Sequence, residues 1–100
     1  MARFLITYHG AGMPSDPELA AQAKEAFGRW LKSAGNAVVD PGSPLRLAAK
    51  VSNATAVGDI AIGGYTLLEA PSVEDVVRIL KSHPFAEKGG TLQINEVVAV

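Results

Sequence analysis

The order in which the chain changes its hydrophobic period restricts its fold more than any other feature. Residues 2–9 alternate with period two: Phe4, Ile6 and Tyr8 fall on one face, and Arg3, Leu5, Thr7 and His9 on the other. That predicts a strand with apolar groups on both sides. The period then lengthens. Leu19, Ala23, Phe27, Trp30, Leu31 and Ala34 recur at spacings of three and four, the signature of a helix with one buried stripe, while Gln22, Lys24, Glu25, Arg29 and Lys32 lie mostly off it. Asp16 is placed to cap this helix with Pro17 at its first position, Ser15 with Glu18 being an alternative capping box, and Gly35 is placed to close it.

Period two returns after the helix. Residues 37–40 form a short strand, interrupted by the turn Pro41-Gly42-Ser43-Pro44, because two prolines cannot both sit in a central ladder. Residues 45–51 resume an extended pattern, 52–55 are a polar connection, and 57–70 contain the next strand, clearest at 65–69. Gly63 and Gly64 just before it point to a bulge or a close approach by another group. Ser72 caps a second helix with Asp75 three residues on; Val73, Val76, Val77 and Leu80 make its stripe, and Glu74 with Arg78 stands at the supportive i, i+4 spacing. Pro84 disfavours a helical His83, so this helix ends near Ser82. A final strand covers 91–100, with Glu96 breaking its apolar side.

Strand, helix, two strands, helix, strand is the split βαβ order. It predicts an α+β, ferredoxin-like βαββαβ fold: a four-stranded antiparallel sheet with both helices on one face. The second face is left bare although Leu5 sits on it. The expected cover is the same face of a second copy, giving a homodimer with a hollow between the sheets. At 100 residues the chain suits a single domain, 1–100, and a domain this small gains from extra burial against a partner. Nine basic and ten acidic residues leave a net charge of -1 with no basic stripe, which argues against nucleic acid. The sequence has no cysteine, so disulfides, thiolate metal sites and cysteine nucleophiles are excluded. No apolar run approaches the roughly 20 residues of a membrane helix. The opening reads as a strand rather than a signal peptide, so a cytoplasmic location away from membranes is expected.

Few residues suit chemistry. His9, at a strand end on the Leu5 face, would point to the rim of a dimer cavity, where an imidazole moves protons near neutral pH; the plain alternative is a solvent-facing strand end. Asp40, at the end of the second strand, could hold that ring in one tautomer or simply cap the following turn. Ser43 could bind a ligand oxygen, although turn serines are common. Tyr65 beside the glycine pair could face a cavity, and so could Tyr8. Phe27 and Trp30 fall on the helical stripe and read as core. His83 suits a helix C-terminus, with ligand binding as the second possibility. Two histidines with Asp40 do not show metal-ligand spacing. Gly10 and Gly12 resemble a fragment of a phosphate loop, but the rest of that motif is missing.

Four segments carry a family likeness: RFLITYHGAGM at 3–13, VVDPGSPL at 38–45, GGYTLLEAPSVEDVV at 63–77 and HPFAEKGGTLQINEV at 83–97. In their order and spacing the chain resembles the YCII-related (YciI-like) family. The resemblance implies a dimeric α/β barrel, two ferredoxin-like sheets closing face to face, and a pocket with a His–Asp pair as catalytic groups. His9 and Asp40 are the positions matched to that pair. Most members of that family have no assigned reaction, and a few relatives are linked to dehydrochlorination in aromatic degradation. The chain lacks the DGPF tetrapeptide of some relatives, which weakens transfer from that branch.

Two functions from different classes follow as expectations. One is cofactor-free acid–base chemistry, lyase- or hydrolase-like, on a small organic molecule, with His9 moving the proton and Asp40 orienting it. The other is a non-catalytic dimer, binding a small ligand or serving as an accessory protein.

Overall fold

The fold is taken from a computed structural model, which describes residues 1–10, 14–55, 58 and 61–100. Gly12 of the glycine fragment and Val57, where the third extended segment was expected to begin, lie outside the described residues. The elements are β1 (Ala2–His9), α1 (Pro17–Ala34), β2 (Val38–Asp40), β3 (Gly64–Ala70), α2 (Val73–Leu80), α3 (Pro84–Glu87) and β4 (Thr91–Glu96). The sheet has four strands in the order β2-β3-β1-β4, and all three pairings are antiparallel. This is the α+β, ferredoxin-like arrangement.

Local chemistry sets the helix ends. Asp16 Oδ1 accepts from the Glu18 and Leu19 amides at 2.8 and 3.4 Å, with Pro17 in the first turn. Gly35 ends α1 at φ 58°, in the left-handed region that a glycine reaches without strain. Ser72 caps α2 through the Asp75 amide, and its hydroxyl donates to the Asp75 carboxylate at 2.8 Å. That contact, with Arg78, holds the Asp75 carboxyl below its ordinary value. Arg78 therefore pairs with Asp75, not with Glu74 as the spacing predicted.

The core lies between the sheet and the helices. Phe4, Ile6, Leu68 and Ala70 from the sheet meet Trp30 of α1 and Val76 and Leu80 of α2. The Trp30 indole N–H donates to the Ile79 carbonyl at 3.1 Å and ties the two long helices together. The burial of α2 is rotated from expectation: Val76, Ile79 and Leu80 pack inward, and Val73 and Val77 stay exposed. Leu19, counted in the α1 stripe, is also exposed, because the core occupies only the later turns of that helix.

Two further expectations are corrected. The last strand ends at Glu96, which pairs with Phe4; only the Val97 amide continues the ladder, to the Arg3 carbonyl at 2.9 Å. Beyond it the tail has no more of β1 to pair with, because β1 begins at Ala2, and Val98 and Val100 are exposed. The uncovered sheet face is also less apolar than predicted. Leu5 and Leu67 pair across β1 and β3, but they are surrounded by the Arg3–Glu69 ion pair, Thr7, Tyr65, Gln93 and Asn95. Exposed apolar side chains gather instead at Leu45, Leu47, Val51 and Ile62, in the irregular stretch between β2 and β3, and in the C-terminal tail.

Candidate functional site

A cavity of about 510 Å³ opens at one end of the sheet, on the side that carries the helices. Tyr8 of β1, Phe27 of α1, and His83 and Phe85 at the start of α3 form its aromatic wall. The Pro41–Pro44 turn and the Gly63-Gly64 pair close another side. Lys24 and Lys88 stand in the lining, and among the described residues no Asp or Glu does.

Glycine is required where these walls meet. Gly42 has φ 80°, and a Cβ there would lie 1.6 Å from the Tyr65 carbonyl oxygen. At Gly90 a Cβ would strike the Phe85 ring at 2.2 Å. The 41–44 turn is stitched to β3 by the Tyr65 amide donating to the Ser43 carbonyl at 3.2 Å and the Leu45 amide to the Gly63 carbonyl at 3.0 Å. The close approach that Gly63-Gly64 foretold is therefore this turn.

Behind the aromatic wall runs a directed chain of hydrogen bonds. The Phe85 amide donates to His83 Nδ1 at 3.0 Å. With Nδ1 accepting, the neutral imidazole carries its proton on Nε2 and donates to the Tyr8 hydroxyl at 2.9 Å. Tyr8 donates to the Thr66 hydroxyl at 2.6 Å, which donates to the Pro41 carbonyl at 2.9 Å. Each proton is used once, and no buried side-chain polar atom among the described residues is left without a partner. Burial lowers the His83 pKa to about 4 and raises that of Tyr8, so both groups are neutral at pH 7. His83 is thus the N-cap of α3, not a C-terminal residue of α2: Pro84 opens a new short helix rather than merely ending the old one.

Of the candidate residues, Ser43, Tyr65 and His83 border the cavity, Tyr65 from β3 although strand alternation sends its side chain to the uncovered face with Leu67. His9 and Asp40 lie elsewhere. His9 follows Leu5 and Thr7 on the uncovered face, half-buried, with its Nε2 2.8 Å from the Thr7 hydroxyl. Asp40 Oδ1 accepts from the Gly42 amide at 2.8 Å, the turn-capping role, and its Oδ2 is 3.5 Å from the Tyr65 hydroxyl. Asp40 is level with Leu67, and Leu67 with Leu5. Two strand spacings sideways and four residues along β1 then separate the His9 and Asp40 backbones by roughly 16 Å within one protomer.

Lys24, Phe85 and Lys88 are not singled out by the sequence for a pocket, Tyr8 is there a residue that could face a cavity, and Phe27 reads there as core although it also lines the cavity. Lys24 falls off the apolar stripe, and Lys88 reads as part of a loop. A signal was nonetheless present: each of the four segments that carry the family likeness contributes to this one wall, through Tyr8, Pro41–Pro44, Gly63–Tyr65 and His83–Phe85. No group of three or more His, Cys, Asp or Glu side chains able to hold a metal forms among the described residues. No helix among them is long and apolar enough to cross a membrane.

The fold matches a solved dehydrochlorinase. The likeness covers 98% of this chain and 95% of the other, with a TM-score of 0.61 and 18% sequence identity. The matched protein is the 5-chloro-2-hydroxyhydroquinone dehydrochlorinase of Burkholderia phenoliruptrix AC1100, in complex with 2,5-dihydroxybenzoquinone. At that identity the dehydrochlorinase establishes the shared fold. No family model and no curated protein matches the chain.

Proposed function

We propose that this chain binds a small, largely apolar organic molecule in the helix-side cavity. The observation that carries the reading is convergence: segments far apart in sequence meet to build one concave wall, and the polar groups behind it are fully paired. Such a wall is held open by its own bonds, which suits a preformed ligand pocket. An engineered cavity of about 150 Å³ accepts benzene, so 510 Å³ has room for one or two rings with substituents. The dehydrochlorinase, solved with a quinone, is a relative in fold whose ligand is of this size class.

A thermal-shift screen of one- and two-ring compounds tests it. Binders raise the melting temperature with the logarithm of their concentration over the dissociation constant. Ala23→Trp, which fills the cavity from α1, should abolish those shifts in a variant that keeps its circular dichroism spectrum. No shift from any compound, or equal shifts in the filled variant, would refute the reading.

A second reading, acid–base turnover at the uncovered face, is favoured by one observation: His9 is anchored by Thr7 through one nitrogen, and the other has no partner among the described residues. In that reading two copies pair and shelter His9, and Thr7, not Asp40, orients the ring in its own protomer. The exposed Leu45, Leu47, Val97 and Val98 support pairing. Light scattering at micromolar concentration should report a dimer, and a monomer would remove the shelter this reading needs.

A further inference from the structure

Resting on the small-molecule reading of the cavity, we infer that the ligand it selects is an aromatic anion, an arene carboxylate or phenolate. The shape comes from the wall. Tyr8 and Phe85 lie with ring centroids 5.3 Å apart, and Phe27 is 5.6 Å from the His83 ring, so planar π-faces and edges line the space. The charge comes from the rim. Lys24 and Lys88 are exposed, and neither ammonium has an ion pair or hydrogen bond among the described residues. No described lining residue carries a carboxylate, so the formal charge that the described wall presents to a ligand is positive. Asp40, adjacent to the lining turn, spends one carboxylate oxygen on the Gly42 amide and turns the other toward Tyr65.

The interior sharpens the choice. Protons on His83, Tyr8 and Thr66 are all committed along the chain to the Pro41 carbonyl. The buried end therefore has no spare hydroxyl or imidazole proton for a ligand oxygen. Ser43 adds a neutral hydroxyl to the lining, so discrimination by charge passes to the lysines, whose attraction is stronger beside an apolar wall than in open water and is screened by salt.

Calorimetric titration of 2-naphthoate, 2-naphthamide and 2-naphthylmethylamine into the full chain separates the possibilities. The three share a ring system and differ in charge. The acid should bind about tenfold more tightly than the amide at low salt, the amine being weakest. In a Lys24→Gln/Lys88→Gln variant, or in 0.5 M salt, the acid should fall to the affinity of the amide. Equal affinity for acid and amide in the wild-type protein overturns the anion inference and leaves the cavity reading standing. An acid preference that survives the double substitution overturns the role of the lysines. Failure of all three to bind overturns both readings together.

Discussion

Tyr8 and His9 are neighbours in sequence, yet β1 sends their side chains to opposite faces of the sheet, and each meets a different fate. Tyr8 turns toward the helices and receives the Nε2 proton of His83 at 2.9 Å. His9 turns to the uncovered face, and its one side-chain bond among the described residues is to Thr7 at 2.8 Å. The comparison of the two histidines shows what burial does to an ionisable ring. His83 is 1% exposed, has both nitrogens engaged, and is held neutral to about pH 4. It can neither take nor pass a proton without breaking the N-cap of α3. His9, half-buried, keeps a nitrogen unengaged among the described residues. The histidine that burial holds neutral is the one that caps a helix and fastens the core.

Deletion should separate them most sharply. His83→Ala removes the α3 cap, the donor to Tyr8 and a ring packed 4.4 Å from Trp30, and should cost about 4 kcal/mol in urea unfolding. His9→Ala should stay within about 0.5 kcal/mol. Similar losses for the two would dissolve the distinction. Acid is the next largest effect. The His83 pKa is lower in the folded chain than the unfolded value of 6.5, so its contribution is complete above that value and drains as pH falls toward about 4. Protonation puts a hydrogen on Nδ1, where the Phe85 amide already donates. Over this window the wild-type protein should lose on the order of 3 kcal/mol more than His83→Ala does. Parallel pH profiles for the two proteins would show that the ring is not held neutral. Tyr8→Phe should be milder, about 1–2 kcal/mol, because it strands the His83 N–H while the ring still packs on Phe85.

The sheet and both long helices were legible because each rests on local chemistry: alternation in β1, Asp16-Pro17 and Gly35 at the ends of α1, Ser72 at the start of α2. The place of the cavity was not. Period two assigns His9 and Tyr8 to opposite faces but does not say which face has room beside it, and an apolar residue such as Leu5 on the face that no helix covers points to the wrong one. His83 was misread because a histidine before proline after a helix fits the end of one helix as well as the start of the next. Only the Phe85 amide bonded to its ring decides the matter. The charged rim was illegible for a related reason. Lys24 is a solvent-facing residue by spacing, and it borders a cavity only because α3 and the 41–44 turn come to meet that side of α1.

The coupling between pairs of substitutions is a smaller quantity still, and the most discriminating for the uncovered face. Asp40→Ala should cost about 1 kcal/mol, the worth of the carboxylate bond to the Gly42 amide in the turn. The His9→Ala/Asp40→Ala cycle should then be additive within about 0.5 kcal/mol, since side chains on backbones so far apart share no partner in one protomer. Thr7 supplies the contrast: its hydroxyl touches His9, so a His9→Ala/Thr7→Val cycle should show coupling where the Asp40 cycle shows none. Additivity in both cycles would mean that the Thr7 contact does not hold the ring. Coupling of 1 kcal/mol or more between His9 and Asp40 would mean that the two meet after all. The register between β1, β3 and β2 permits that only between residues of different copies, so a concentration dependence of the coupling would locate the dyad across a subunit boundary rather than within a chain.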